Sequence, residues 1–481
     1  MSKKRVRQQV GSHPPILPSS HPPRCLISTL PSEHLSLMAL SLASPLNLFQ
    51  TRPGRRRRSV VASAAAAEKG GAASSEDNPT RLVTFLGKGG SGKTTSAVFA
   101  AQHYAREGLK TCLVTSSQDR TADFLLNRKI GTHPVVCGNN LSAIRFETAQ
   151  LLLQPLQQLK EADARVNMTQ GFLQGIVGEE LGVLPGMHSI FSVFALECMI
   201  GTRGAYGNAA GRNRLKDKFD VVVYDGASPE ETLRMIAAAG AARLYLKYLR
   251  NMAEKTDLGR LAGPSLLRLV SEATNSTSAG INGKLSSEIW DSLEKFLEKK
   301  SSTFADPEKF RCFLVMDPHS EFNQRAALRY WGCTIQAGAQ VSGAFGSTPM
   351  LPSVEDVESA KKTFSPLPFA LIPSFSMDSP QDWGAVMQNS LGEDTRRVLD
   401  LAEGQTSRVP SSVKYDLPKK TVTLFMPGFD KSEIKLYQYR GGSELLVEAG
   451  DQRRVIELPL QVQGKVGGAK FMDRCLTITM S

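Results

Sequence analysis

The sequence lacks any closely spaced pair of cysteines. Its seven cysteines lie far apart along 481 residues, with no CxxC motif and no cluster of cysteine and histidine. Structural zinc sites need such clusters, and small secreted domains need dense disulfides, so the sequence argues against both classes. We expect reduced and mostly buried thiols in a reducing compartment.

Acidic residues are almost absent from the first 60 positions. That stretch holds ten Lys and Arg against Glu33 alone, a net charge of +9, whereas the rest of the chain carries only +3. The nearly neutral body gives no support for nucleic-acid binding. A basic leader rich in Ser, Pro, Leu and Ala is typical of a transit peptide of chloroplast type, with a disordered basic arm as the alternative. We predict a transit peptide over 1–66, with 1–37 an extension upstream of a start at Met38, and a location in the chloroplast stroma.

Uncharged apolar runs long enough to cross a bilayer, roughly 18–20 residues, are also missing, so no stable membrane insertion is predicted. After a polar linker at 67–80, short apolar runs alternate with helical patterns, which predicts an α/β fold with a mostly parallel sheet. The predicted strands are Leu82–Leu86, Thr111–Thr115, Phe219–Tyr224, Arg311–Met316 and Phe369–Ile372. Two long segments, 150–205 and 243–300, interrupt the alternation and are rich in apolar residues.

A glycine-rich loop follows the first predicted strand and precedes a predicted helix over Thr94–Glu107. Glycines let successive backbone N–H groups turn toward phosphate oxygens, and a helix N-terminus adds a favourable dipole. In this pattern the second lysine reaches the β- and γ-phosphates, and the following threonine ligates Mg²⁺. The loop consists of Gly87, Lys88, Gly89, Gly90, Ser91, Gly92, Lys93, Thr94 and Thr95. The sequence therefore predicts a P-loop NTPase that binds a nucleoside triphosphate with Mg²⁺.

An aspartate closes the predicted strand that ends at Tyr224. At the carboxyl edge of a parallel sheet beside the glycine loop, Asp225 can hold a metal-bound water, and the Gly226 N–H can meet the γ-phosphate. We predict Thr94 and Asp225 as the residues at the metal, and Lys93 and Asp225 as catalytic. A simple turn-forming role is the alternative for Asp225.

Beyond a linker at 402–411, the pattern changes to short strands separated by turn residues. Alternating segments occur at Thr421–Met426, Ile434–Tyr439, Glu444–Glu448, Arg454–Leu458 and Leu476–Met480. Turns are predicted at Pro427-Gly428, Gly441-Gly442 and Gly467-Gly468. Residues 412–481 are thus predicted to form a small all-β sandwich.

The loop, the block Val223–Arg234 and Leu184-Pro185-Gly186-Met187 resemble the arsenite-pump ATPase family over roughly 81–400. That family includes the ATPases that carry tail-anchored membrane proteins in the guided-entry pathway. The 426–459 region resembles the α-crystallin-like (small heat-shock protein) domain that a plant and cyanobacterial branch fuses to this ATPase. A β-sandwich used only for docking is the alternative. On this basis 81–401 is predicted to be the ATPase domain.

The resemblance implies further properties. Its members are homodimers. In the branch of P-loop proteins that includes MinD and the nitrogenase iron protein, a lysine at the position of Lys88 reaches across the dimer interface to the partner's nucleotide. Lys88 is therefore predicted to be catalytic. Closure forms an apolar groove from inserted helices, here 150–205 and 243–300, which captures an apolar client such as a membrane-protein helix; the alternative is that these segments pack on one another. ATP is implied as the nucleotide, and a membrane receptor as a further partner.

Departures from the family pattern leave two other functions open. Ser116 or Ser117 stands where the switch aspartate that positions the attacking water is expected. Asp119, two positions later, is the nearest acid and is predicted to be catalytic in its place. The family's base-reading asparagine is replaced within 340–346, and His188 and Ser189 follow Met187 where acidic residues are expected. Negligible turnover would make the chain an ATP-regulated chaperone or scaffold. A motor for a metalloid pump is disfavoured because no cysteine cluster could hold arsenite.

Overall fold

A computed structural model describes residues 79–147, 219–255, 303–347, 352–373, 381–389, 392–401 and 411–481, together with 189, 192–193, 195–196, 199 and 375. The predicted transit peptide and most of 150–205 and 256–300 lie outside these residues. Within them, no helix is both long enough and apolar enough to cross a bilayer.

An eight-stranded sheet forms the centre of the ATPase region, in the order β3-β4-β2-β5-β1-β6-β7-β8. All neighbours are parallel except the pair β3 and β4. The strands are β1 Arg81–Leu86, β2 Thr111–Thr115, β3 Val135–Gly138, β4 Leu141–Arg145, β5 Val221–Asp225, β6 Phe310–Met316, β7 Val341–Ser347 and β8 Phe369–Ile372. This confirms the predicted α/β class with a mostly parallel sheet.

The central strands are mostly apolar because helices cover both faces of the sheet. Every residue of β2, β5 and β6 is buried. Aromatic side chains contact one another in the interior. The ring centroids of Phe85 and Phe313, for example, are 5.5 Å apart. Five of the eight strands were predicted, each with bounds within two residues.

Strand β7 was missed because its sequence, VSGAFGS, reads as a loop. Its glycines have a packing reason that the sequence does not show. A Cβ on Gly343 would lie 2.8 Å from the Val398 side chain, and one on Gly346 would lie 2.7 Å from that of Leu371. Close approach of neighbouring elements therefore selects glycine inside a buried strand.

Seven helices whose bounds lie within the described residues accompany the sheet. They are α1 Lys93–Arg106, α2 Thr121–Leu125, α3 Pro229–Lys255, α4 Glu321–Gln336, α5 Val354–Phe364, α6 Trp383–Asn389 and α7 Glu393–Leu399. Helix α3 is 27 residues long, so it extends about 40 Å at 1.5 Å per residue. It enters the apolar segment that begins at residue 243.

The C-terminal region forms two antiparallel sheets, in the orders β14-β15-β10-β9 and β11-β12-β13. Their strands are β9 Val413–Asp416, β10 Thr421–Phe425, β11 Ile434–Tyr439, β12 Glu444–Ala449, β13 Gln452–Glu457, β14 Val466–Met472 and β15 Cys475–Met480. Alternate side chains of both sheets meet in a core that includes Val422, Leu445, Val447 and Ile478. The predicted all-β class is confirmed for this region.

The turn predicted at Gly467-Gly468 is wrong. These glycines lie inside β14, where the pairing with β15 shifts register between Val466 and Gly468. Glycine in a strand often marks such a bulge. The chain reverses instead at Asp473 and Arg474, whose φ angles of 52° and 61° suit a two-residue hairpin turn.

The C-terminal sheets pack on α4 of the ATPase region. Trp331 makes an edge contact with Phe425, with ring centroids 5.0 Å apart. Arg329 pairs with Glu433 at 2.6 Å and lies 4.1 Å from the centre of the Phe429 ring. A Cβ on Gly332 would overlap the carbonyl oxygen of Pro427. Helix α4 is therefore in direct contact with the β domain.

Candidate nucleotide-binding site

The glycine loop joins β1 to α1 at the carboxyl edge of the sheet. Gly90 and Gly92 have φ angles of 81° and 91°, which side chains other than glycine rarely adopt. A Cβ on Gly87 would overlap both the Ser91 hydroxyl and the carbonyl oxygen of Val315. Three of the loop's glycines are thus fixed by backbone conformation or by close packing. The loop has the tight curl that the sequence predicted.

The N-terminus of α1 presents unsatisfied backbone donors to this loop. Gly92 is the residue before the helix, no side chain caps the helix there, and the first turn carries no acid. The first N–H groups of a helix have no partner within the helix, and their dipole favours an anion. Phosphate oxygens fit this end of α1.

The Lys93 ammonium lies at the mouth of the loop, 3.5 Å from the carbonyl oxygen of Lys88. Partial burial lowers the pKa of Lys93, and the carboxylates of Asp225 and Glu230 oppose that shift. A partly dehydrated ammonium group is stabilised by charge-assisted hydrogen bonds to a bound polyphosphate. Lys93 is placed to make such a contact.

Asp225 ends β5 beside the loop and is held from two sides. The Thr94 hydroxyl donates to Oδ1 at 3.1 Å, and the Thr115 hydroxyl donates to Oδ2 at 3.1 Å. Thr115 reaches Asp225 because the two residues pair in the β2–β5 register. The sequence reasoning did not identify Thr115, since no local pattern reveals this register.

Burial raises the pKa of Asp225 to about 6, against the hydrogen bonds from Thr94 and Thr115 and the charge of Lys93. A buried carboxylate without a cation in direct contact is costly, and a hard divalent ion would relieve that cost. The hydroxyl of Thr94 and the carboxylate of Asp225 are oxygen donors of the kind that Mg²⁺ takes. The residues present therefore fit Mg²⁺.

Ser116 ties the end of β2 to the segment after Asp225. Its hydroxyl accepts from the Ala227 N–H at 3.0 Å and lies 3.1 Å from the Tyr224 hydroxyl. Beside it, a Cβ on Gly226 would overlap the Thr232 hydroxyl, so that position also requires glycine. The Ser116 hydroxyl thus orders the backbone that follows Asp225.

Asp119 lies in the loop between β2 and α2. Its two carboxylate oxygens accept from the Thr121 N–H at 3.2 Å and from the Thr121 hydroxyl at 2.7 Å. Its charge nevertheless raises the pKa of Asp225, so the two groups are close enough to interact. Arg145 binds the carbonyl oxygen of Ser117 and pairs with Asp123 at 2.6 Å. The role predicted for Asp119 stays a prediction.

Lys88 is exposed at the apex of the loop, and its ammonium lies 4.5 Å from the centre of the Phe322 ring. Phe322 is the second residue of α4 and is itself 63% exposed. The segment 340–346, predicted to replace the family's base-reading asparagine, runs into β7; Ser347 ends this strand, and a Cβ on Gly92 would lie 2.6 Å from its hydroxyl. Residues 185–188 lie outside the described residues.

Comparison with known proteins agrees with this geometry. The model of the anion-transporting ATPase family matches residues 80–326, about half of the chain. The chain belongs to this family. A second model, the HSP20-like domain found in ArsA proteins, matches residues 419–480. The chain is accordingly an ATPase with an HSP20-like domain, which confirms the resemblance and the predicted enzyme class.

Individual relatives are distant. A putative arsenical pump-driving ATPase of Chlorobaculum tepidum is 24% identical over 423 residues, covering 83% of this chain and 95% of that protein. A similarly named protein of Prosthecochloris vibrioformis matches equally well. The ATPase ASNA1 homolog 2 of Paramecium tetraurelia is 24% identical over 33% of this chain and 45% of its own length.

Proposed function

We propose that this chain is a plastid homodimeric MgATPase that couples nucleotide binding and hydrolysis to the capture and release of an apolar helix of a membrane protein. The proposal rests on the family's ATPase activity, on the guided-entry resemblance and on the position of α3. This helix begins four residues after Asp225 and runs into the apolar segment from 243 onward. That continuity is the observation that carries the proposal.

Helix α3 can transmit a change at the phosphates because it is one rigid element over about 40 Å. Its first turn follows directly after Asp225 and Gly226. The Ser228 hydroxyl caps this turn by accepting a hydrogen bond from the Glu231 N–H at 3.1 Å. A displacement of Gly226 and Ala227 on nucleotide binding would therefore move the far end of α3. Loops between strands rarely need segments as long as 243–300 unless they have a function.

Homodimer formation is supported by the exposure of Lys88. A lysine at the loop apex contributes nothing to the core of its own domain, and its ammonium sits over an exposed aromatic ring. It is therefore free to reach a second nucleotide-binding loop across an interface. The partner in this proposal is a second copy of the chain.

The burial of the described residues within 189–199 limits where the client could bind. Val193, Leu196 and Met199 are buried in the single chain, with exposed fractions of 4%, 1% and 4%. A groove that uses them has to form by rearrangement when the dimer closes. The alternative is that Val193, Leu196 and Met199 always belong to the hydrophobic core.

A capture assay tests the client function. A synthetic apolar helix with a photo-crosslinker should be captured by the wild-type chain in MgATP and lost with the Lys93→Ala variant. Polar substitutions at Phe191, Phe194 and Met199 should reduce capture in MgATP while ATP binding is retained. Unfolding of these variants, without any selective loss of capture, would instead identify the segment as core.

A second function, an ATP-regulated chaperone or scaffold with little turnover, is favoured by the serines at 116 and 117. Hydrolysis depends on positioning the attacking water, so a missing switch carboxylate slows turnover more than binding. Phosphate release by the chain lacking residues 1–66 separates the two functions. Nucleotide binding with no measurable release would favour the scaffold.

The names of the bacterial relatives raise a third candidate, the motor of an arsenical pump. The five cysteines in the described residues are all free, and no group of three or more His, Cys, Asp or Glu residues in this part of the chain could hold a metal ion. Turnover stimulated by arsenite would nevertheless favour the pump. Plastid location rests on the acid-poor leader, and an intact Met1 or Met38 on the protein from the organism would contradict it.

A further inference from the structure

A cleft of about 550 Å³ lies at the amino edge of the large sheet, at the opposite edge from the glycine loop. The start of β1, the last turn of α1 and the end of α7 surround it, and its walls include Arg81, Tyr104, Leu399 and Asp400. Helix α1 has 14 residues, so its last turn lies about 20 Å from the loop at its first turn. The cleft has the size of a small-molecule site. It is therefore a place separate from the nucleotide site.

Arg311, the second residue of β6, reaches the wall of this cleft. In the β1–β6 register Arg311 pairs with Val83. Arg81 lies two residues before Val83, so the two arginines are on the same face of the sheet. Nη1 of Arg311 donates to the carbonyl oxygen of Asp400 at 2.5 Å. Because Arg81 and Asp400 both line the cleft, the Arg311 guanidinium lies at its inner side.

The Arg311 guanidinium is buried without enough partners. The residue is 5% exposed, and its Nε and Nη2 have no hydrogen-bond acceptor in the described part of the chain. Burial lowers the pKa of Arg311 and the charge of Arg81 lowers it further, whereas the carboxylates of Glu308 and Asp400 act in the opposite direction. A buried charged donor that lacks an acceptor is costly. An anion in the cleft would supply that acceptor.

Two further arginines line the cleft without a carboxylate partner. Neither Arg81 nor the exposed Arg396 of α7 forms an ion pair with an acid among the residues that the structure describes. Arg397, by contrast, is held by Glu393 within α7. Guanidinium groups bind phosphate oxygens through paired hydrogen bonds, and a phosphate has enough oxygens for several of them.

We propose that this cleft binds a small organic phosphate whose phosphate group is held by Arg81, Arg311 and Arg396. Glu107, which also lines the cleft, then accepts a hydrogen bond from a hydroxyl group of the same ligand. A bound phosphate would satisfy Arg311 and would join α7 to the last turn of α1. This inference depends neither on the ATPase activity nor on the client.

Ordered water is the alternative partner for Arg311, as it is for many buried polar groups. Water predicts that phosphate stabilises the chain no more than an ordinary salt does. A ligand site predicts saturable stabilisation, because a ligand that binds only the folded state raises the melting temperature. The experiment therefore compares phosphates with chloride at equal ionic strength.

The test uses the full chain with Lys93→Ala, since phosphate also fits the glycine loop. Glycerol phosphate should raise the melting temperature of this chain saturably by several degrees, and inorganic phosphate should do so at higher concentration. By calorimetry, Arg81→Gln and Arg396→Gln should each weaken glycerol phosphate about 10-fold or more, as loss of a charged hydrogen bond does. Arg325→Ala, at an exposed arginine of α4, should bind as tightly as its parent.

Arg311→Met tests the buried group directly and should lose binding. Should this variant fail to fold, the substitutions at Arg81 and Arg396 decide the result, because these side chains are not fully buried.

Three results would overturn the proposal. Stabilisation by phosphates that equals that of chloride would identify water as the partner of Arg311. Unchanged affinity in both Arg81→Gln and Arg396→Gln would place the bound phosphate elsewhere. Tighter binding of malonate than of glycerol phosphate would replace the phosphate by a dicarboxylate. Loss of client capture or of turnover in other variants would contradict only the carrier proposal.

Discussion

At the scale of single residues, the site pairs a partly dehydrated cation with a buried carboxylate. Lys93 and Asp225 interact across the mouth of the loop, and Thr94 and Thr115 hold the carboxylate in place. Both charged groups are under-solvated without a ligand, which is the usual condition of sites that bind charged substrates. Two substitutions separate their contributions to binding and to stability.

Removing the lysine should abolish binding without unfolding the chain. We expect Lys93→Ala to weaken MgATP binding at least about 10²-fold, because a charge-assisted contact to phosphate is lost. The melting temperature without nucleotide should fall only slightly, because Asp225 loses a nearby positive charge while a partly buried ammonium is also removed. Calorimetry with ATP and a thermal melt of the same sample measure both quantities. An unchanged affinity would rule out this site assignment.

Removing the buried negative charge should stabilise the nucleotide-free chain. The folded-state pKa of Asp225 is about 6, above its ordinary value of 3.8. Ionisation at neutral pH therefore costs folding free energy, which is absent below the unfolded-state value and fully present above the folded-state one. Asp225→Asn should raise the free energy of unfolding by about 1–3 kcal/mol, measured by urea titration with EDTA. It should also eliminate the stabilisation that MgATP gives the wild type, and a destabilised variant would contradict this reading.

At the scale of elements, α4 is in contact with three parts of the molecule. Its first turn carries Phe322 under Lys88, its middle carries Tyr330 against Glu230, and Arg329 binds the β domain. A single rigid helix thus connects the nucleotide site with the C-terminal sheets. The sequence predicted no such role for this helix.

Two arginines four residues apart on α4 test the contact with the β domain. Arg329 binds Glu433 and the carbonyl oxygen of Gly428, whereas the partner of Arg325 among the described residues is Glu321 of the same helix. Arg329→Ala should weaken the contact by about 1–3 kcal/mol, as expected for a charged hydrogen-bonded pair. Amide exchange should then rise in 425–433, and Arg325→Ala should leave it unchanged. Equal exchange in both variants would show that apolar packing alone holds the domain.

At the scale of the whole molecule, the proposed dimer places Lys88 at an interface. We expect Lys88→Ala to fold normally and to lower the ATPase rate about 10-fold or more, as the loss of a charge that stabilises the transition state does. Its nucleotide-dependent change in X-ray scattering should also decrease. Lys361→Ala, another exposed lysine, is the matched control. Identical rates and scattering for both variants would make Lys88 an ordinary surface residue.

Local patterns determined much of this protein by themselves. Strand β1, the glycine loop and α1 follow from residues within a short stretch, because backbone freedom, burial and helix termination are local properties. The same holds for β2, β11 and the change to an all-β region after the linker. Asp225 was predicted to lie beside the loop because it closes a buried strand downstream of the glycine-rich loop, and its contact with Thr94 agrees with that position.

Tertiary structure decided what depends on contacts between distant segments. The β2–β5 register brings Thr115 to Asp225, and Tyr330 meets Glu230 across 100 positions of the chain. The glycine-containing strand β7 was missed and the glycines of β14 were predicted as a turn, yet β7 packs tightly against its neighbours and β14 carries a bulge. Sequence reasoning missed these features because the partner that selects each residue lies far away in the chain and close only in the fold.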